Sequence, residues 1–174
     1  MRFLTFVALV VLAIFIAGIY GALHDQLSFT VSQEYFTKFK YHQFGLANSD
    51  LPDRTKAAAI GWMASWRMGV PIGLVVGAFG FLHKPARRMF RITLQAMGVV
   101  AFVALLTGIL GLTVGWFFES PDPADHPYRF IPKEGLDLPR NFIAVGSMHN
   151  FSYLGGVIGL VAGVIFQFWR RERD

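Results

Sequence analysis

The sequence contains no cysteine. That excludes disulfides, thiol catalysis, iron–sulfur clusters and cysteine-ligated zinc. Charge is scarce as well: Asp, Glu, Lys and Arg make up 16% of the chain, against about 25% in an ordinary soluble domain. The serine-nucleophile, zinc-hydrolase, phosphate-loop and dinucleotide signatures are all missing. The lack of a catalytic constellation points away from an enzyme. A net charge of +5 does not bring in nucleic acid. The bases sit at the ends of apolar runs, not in a stripe with interleaved aromatics.

Hydrophobic residues are abundant, at 54%, with 16% aromatic and a mean hydropathy of +0.47. They fall into four runs, about 3–23, 57–82, 90–118 and 142–169. Each meets the roughly 20 residues needed to cross about 30 Å of hydrocarbon. The last three exceed it and must tilt or project. The expected fold is an all-α integral membrane protein, a four-helix bundle forming one domain over residues 1–174. Two outer loops (24–56 and 119–141) and one cytoplasmic loop (83–89) connect the spans.

The loops set the orientation. The connection "HKPARRMFR" carries Lys84, Arg87, Arg88 and Arg91 and no acid, and the tail adds Arg170, Arg171 and Arg173. Arg2 sits at the other terminus. The positive-inside rule places both termini in the cytoplasm, as expected for a bacterial inner-membrane protein. The first run exceeds the 7–15 apolar residues of a signal peptide, and "IYGA" puts Tyr20 where a cleavage site wants a small side chain. A retained span is expected.

The chain reads as the same hairpin twice. "VVLAIFIAGIYG" (from Val10) aligns with "VAFVALLTGILG" (from Val100), "IGLVVG" (from Ile72) with "IGLVAG" (from Ile158), and "DLPDR" with "DLPRN". The offsets are 90, 86 and 87 residues. Both copies would cross the membrane in the same direction, giving a pseudo-two-fold axis along its normal. Small residues recur at helix-face spacing: Gly69, Gly73 and Gly77; Gly155, Gly159 and Gly163; Gly108, Gly111 and Gly115; and Ala13, Ala17 and Gly21. Such stripes let helix backbones approach closely. The second and fourth spans are expected to pack near the pseudo-axis, unless one stripe faces a partner or a second copy.

Ionisable residues within spans are functional candidates by default. Counting about 20 residues outward from His83 and Trp169 puts Arg67 just inside the outer boundary and His149 at it. Arg67 can snorkel there, and an ion pair with Asp25 or Glu119 is expected. His24, Trp62 and Trp66 share this layer. These seven residues are the candidate ligand-binding set. At about 100° per residue, His149 faces the glycine-lined side of its helix. It either makes an interhelical hydrogen bond, for instance to Ser65, or contacts a metal, haem or substrate. No cofactor or metal site is otherwise expected. Haem through His24 and His149, the one span-end pair, is the alternative. Asp122, Asp125 and His126 could bind zinc, but "PDPADHP" reads first as a proline-rich loop.

In the first outer loop, Thr30 and Gln33 fit a capping box and Gly45 a helix stop, predicting a short helix. On α spacing, Tyr35, Phe36 and Phe39 share one side, with Tyr41 and Phe44 opposite. The "DLP" motifs predict aspartate N-caps for the second and fourth spans.

The function expected first is a non-enzymatic accessory, assembly or structural subunit of a membrane complex, with a membrane-protein partner or as a homo-oligomer. The alternative is an outer-leaflet lipid- or quinone-binding protein or enzyme, with Arg67 on the head group and His149 in the pocket. A small-solute channel, as an oligomer, comes third, because glycine-lined contacts leave no pore.

Overall fold

A computed structural model describes residues 1–127 and 131–171, so Arg173 lies outside the described residues. Among the described residues there are helices and no strand. Four helices are long and apolar enough to cross a membrane: α1 (Arg2–Val31), α4 (Asp53–Phe79), α5 (Ala86–Phe117) and α6 (Pro139–Arg171). That is consistent with an integral membrane protein.

α1 runs eight residues past the predicted end at Leu23, because nothing before Ser32 breaks it. Ser32 is extended (φ −142°, ψ 102°), and its hydroxyl accepts the Tyr35 amide at 3.2 Å. Thr30 is therefore not the cap. Its hydroxyl stays on α1, donating to the Gln26 carbonyl at 2.9 Å. The extension places His24 and Asp25 on the rigid helix rather than in a loop.

A broken helix follows: α2 (Gln33–Tyr35), a π-helical stretch (Phe36–Lys40) and α3 (Tyr41–Gln43). The Tyr41 amide reaches the Phe36 carbonyl, five residues back. The wider turn corrects the two-sided pattern expected from α spacing. It brings Tyr41 round to the side of Phe36, their ring centroids 6.4 Å apart. Tyr35, Phe36, Lys40 and Tyr41 are all buried as a result. The three aromatics form a core with Phe29, Ala57, Ile60, Ile131, Phe142 and Val145. Gly45 adopts φ +71° and ends the segment, a conformation glycine takes at no steric cost.

The two "DLP" motifs do not supply aspartate caps. Pro52 holds the N-cap position of α4, and Asp53 falls in its first turn, where a negative charge complements the helix dipole. At α6, Glu34 of α2 accepts the Asp137 and Leu138 amides at 3.0 and 2.8 Å. An acid from another element thus fixes the chain just before the start of α6, where the sequence predicts an Asp137 cap.

The glycine stripes are used within hairpins, not between the second and fourth spans. A Cβ on Gly73 would lie 3.0 Å from the Val10 Cα, and Gly69 packs on Ala13 of α1. A Cβ on Gly159 would lie 3.0 Å from the Val100 Cα, with Gly155 on Ala104 and Gly163 on Ala96 of α5. Gly77 faces Phe6, Gly111 faces Ser147 and Phe151, and Gly115 faces Ala144. Each hairpin is thus glued backbone to backbone, α1 on α4 and α5 on α6. Between the hairpins contact is looser, and a cavity remains. At the short-connection end, buried Gln167 ties the pairs together. It donates to the Val76 carbonyl at 2.8 Å and accepts from the Thr93 hydroxyl at 3.4 Å.

Candidate functional site

Two adjacent residues of α1 and one of α6 meet at the long-loop end of the bundle. The Asp25 carboxylate oxygen Oδ1 lies 3.3 Å from His24 Nδ1 and 3.1 Å from His149 Nε2. All three side chains are buried. His149 Nδ1 donates to the Val145 carbonyl one turn back, at 2.9 Å. A carbonyl only accepts, so this nitrogen carries the hydrogen. The imidazole is packed against Tyr35 (centroids 4.9 Å) and meets the His24 ring edge-on at 4.8 Å. A porphyrin held between the two histidines would have to part rings already in contact.

Beside this group lies a cavity of about 90 Å³ between the hairpins. Its walls are largely apolar, with Ala13, Ile16, Met68, Ile72, Met97 and Val100 among them. Its polar groups are His24, Asp25, His149, Lys40, Tyr20, Ser65, Ser152 and Tyr153. The Tyr20 hydroxyl bonds the Ser152 hydroxyl at 2.7 Å. Tyr20, His24 and Ala101 also line a second recess, an apolar groove of about 330 Å³ completed by Leu23, Leu27, Phe102 and Leu105. Leu23, Leu27 and Phe102 are exposed on the outside of the bundle. The cavity and the groove therefore adjoin between α1 and α5.

Lys40 was not legible in the sequence as a site residue. It is 6% exposed, and its ammonium sits 5.7, 5.2 and 5.6 Å from the rings of Tyr35, Phe39 and Phe44. It makes no hydrogen bond or ion pair among the described residues. Burial lowers its pKa below the ordinary lysine value of 10.5, and the nearby Asp25 charge opposes that shift. The only signal was a lysine inside the aromatic run "YFTKFKYH", and placing it required the π turn.

The expected polar layer separates. His24, Asp25 and His149 come together. Arg67 does not join them. It is exposed and lies over the Trp66 ring at 5.5 Å. It stands two residues, about 200° of helix, from both cavity-lining Ser65 and buried Gly69, so it points away from the bundle interior. Asp25 is engaged by the two histidines, and Glu119 accepts from the Ser147 hydroxyl. The expected Arg67 ion pair is therefore absent. Trp62 packs over Gly18 at the α1–α4 contact, outside the cavity. Ser65 lines the cavity, but His149 bonds Asp25 in its place. In the second loop, Asp122 accepts the Ala124 amide at 2.8 Å, Asp125 accepts from Ser120, and His126 meets the Ser120 carbonyl at 2.8 Å. Those three side chains shape a turn.

The fold and site define an all-helical protein with four helices of membrane-crossing length and a buried His–Asp–His group beside a cavity. No protein-family model, curated protein or solved structure matches the chain.

Proposed function

We propose that the protein binds one amphiphile, its oxygen-bearing head in the cavity and its chain in the groove between α1 and α5. The observation that carries this is the junction of the two recesses. One holds the hydrogen-bonding groups, the other is wholly apolar, and they share Tyr20, His24 and Ala101. Binding sites of this kind are mostly apolar with a few placed polar groups. Buried Lys40 suits an anionic or carbonyl head, which would supply the acceptor it lacks. Acidic lipids and quinones share this chemistry.

The setting is an inner membrane with both termini cytoplasmic, supported by Lys84, Arg87, Arg88 and Arg91 on the short connection. The site then faces the outer leaflet. A duplicated hairpin accounts for the matched contacts. Gly73 on Val10 corresponds to Gly159 on Val100, Gly21 on Gly61 to Gly111 on Ser147, and Gly18 on Trp62 to Gly108 on Met148. The glycine stripes pack inside the hairpins, so they do not by themselves argue for a partner.

Native mass spectrometry of protein extracted from membranes tests the binding. An adduct of lipid or quinone mass, one per chain, is expected, and its mass tells the two apart. A bare chain under conditions that retain lipid on other membrane proteins would reject the reading.

A further inference from the structure

Two acceptors face each other at the centre of the site. Because His149 Nδ1 carries a hydrogen for Val145, a neutral ring presents a lone pair at Nε2. That lone pair is directed at the Asp25 carboxylate oxygen, 3.1 Å away. Two lone pairs at that distance repel, so a cation must lie between them. His24 Nδ1 approaches the same oxygen from the other side, at 3.3 Å.

We infer that His24, Asp25 and His149 hold a divalent metal ion of the zinc class. A tetrahedral ion with bonds of about 2.0–2.1 Å sets neighbouring donors roughly 3.3 Å apart. Two of the three edges already have that length, and all three donor atoms lie within 4.8 Å of one another. The third edge, between the two imidazoles, is within 4.8 Å and has to shorten when an ion binds. Two imidazoles and one carboxylate suit zinc, cobalt, nickel or copper better than calcium or magnesium, which prefer oxygen ligands. The Val145 carbonyl does what a carbonyl behind a metal-bound histidine does, fixing the tautomer and aiming Nε2 at the ion. Three protein ligands leave a fourth position for water or for a head group in the cavity. The Lys40 ammonium is the one cation lining the cavity among the described residues, and its charge weakens the site without blocking it.

The metal site needs only these three side chains to meet, so it stands or falls apart from the amphiphile reading. The test is metal titration of tag-free, chelator-stripped protein in detergent. Zinc calorimetry should show one ion per chain. Cobalt should develop the intense visible absorption of a four-coordinate site, and copper should show nitrogen couplings from two imidazoles in its paramagnetic resonance spectrum. Asp25→Asn and His149→Ala should each weaken zinc binding at least about tenfold. Gly156→Leu, which replaces none of the three ligands and starts from a position where a Cβ meets nothing within 4 Å, should still take up one zinc ion per chain while losing any amphiphile. Absence of stoichiometric uptake would overturn the proposal and leave a proton as the shared cation. So would affinity unchanged in both ligand variants. If a variant fails to fold, the cobalt and copper spectra of the parent chain decide alone.

Discussion

Asp25 and His149 lie 124 positions apart in sequence, yet their side chains meet at 3.1 Å in a buried site where the first and second hairpins touch. One partner is on α1, which is glued to α4, and the other is on α6, which is glued to α5. The contact is therefore a tie between the hairpins, placed where glycine-mediated packing gives way to a cavity.

Removing that tie should cost stability. With a proton shared between the two side chains in metal-free protein, Asp25→Ala is expected to lose about 1.5–3 kcal/mol, the range for hydrogen bonds to charged groups. The double variant with His149→Ala should lose less than the two single losses combined, because both delete one interaction. Reversible unfolding in mixed micelles measures this, and full additivity would show that the contact carries no energy.

Close approach makes a second prediction. A Cβ on Gly21 would collide with the Gly61 carbonyl oxygen, and backbone cannot step aside. Gly21→Ala should destabilise by about 1–3 kcal/mol through overpacking. At Gly98 an added Cβ meets nothing within 4 Å. Gly98→Ala should be neutral or slightly stabilising, since alanine is the better helix former. Thermal melts in one detergent compare the two directly.

Glu34 predicts a pH dependence. Burial raises its pKa, but hydrogen bonds from Lys38 and from the Asp137 and Leu138 amides outweigh that, holding it below the ordinary 4.5. A carboxyl depressed in the folded state contributes stability that is fully present above its unfolded pKa. That stability is lost as pH falls through the folded pKa. Glu34→Gln should therefore be less stable than the parent near neutrality, and the gap should close in acid. A gap constant from neutral pH down to 3 would contradict the role of the Glu34 carboxylate in holding the chain before α6.

Lys40 separates recognition from architecture. Lys40→Met keeps the length and apolar stem but removes the charge. The helical circular-dichroism spectrum and the melt should stay close to the parent, while any bound acidic amphiphile is weakened at least about tenfold, the value of one charged hydrogen bond. Retained affinity would assign the head group to His24 and Tyr20 alone.

The sequence made the four helices legible because run length and hydropathy are local properties. The glycines were legible as contact residues, but not their partners. Spacing along one helix says which face is small, and nothing about which neighbour fills it. Asp25 and His149 each stood out as polar groups at span ends. Their meeting depended on α1 continuing past Leu23 to Val31, where no proline or glycine signals an end. Arg67 drew attention by its charge, but it stands out of phase with Ser65 and Gly69. Lys40 stayed hidden because a π turn shifts the helical phase, which period counting assumes to be constant.

The central claim is that the cavity between the hairpins holds an amphiphile. Gly156 lines that cavity, and a Cβ there meets nothing within 4 Å. Gly156→Leu should therefore place a side chain in the ligand's space without disturbing the helices. The decisive measurement is native mass spectrometry of the parent and Gly156→Leu proteins prepared side by side from membranes. The account predicts one amphiphile per chain on the parent and none on the variant, with equal folded yield. An adduct that survives the substitution unchanged would place the molecule elsewhere and contradict the account.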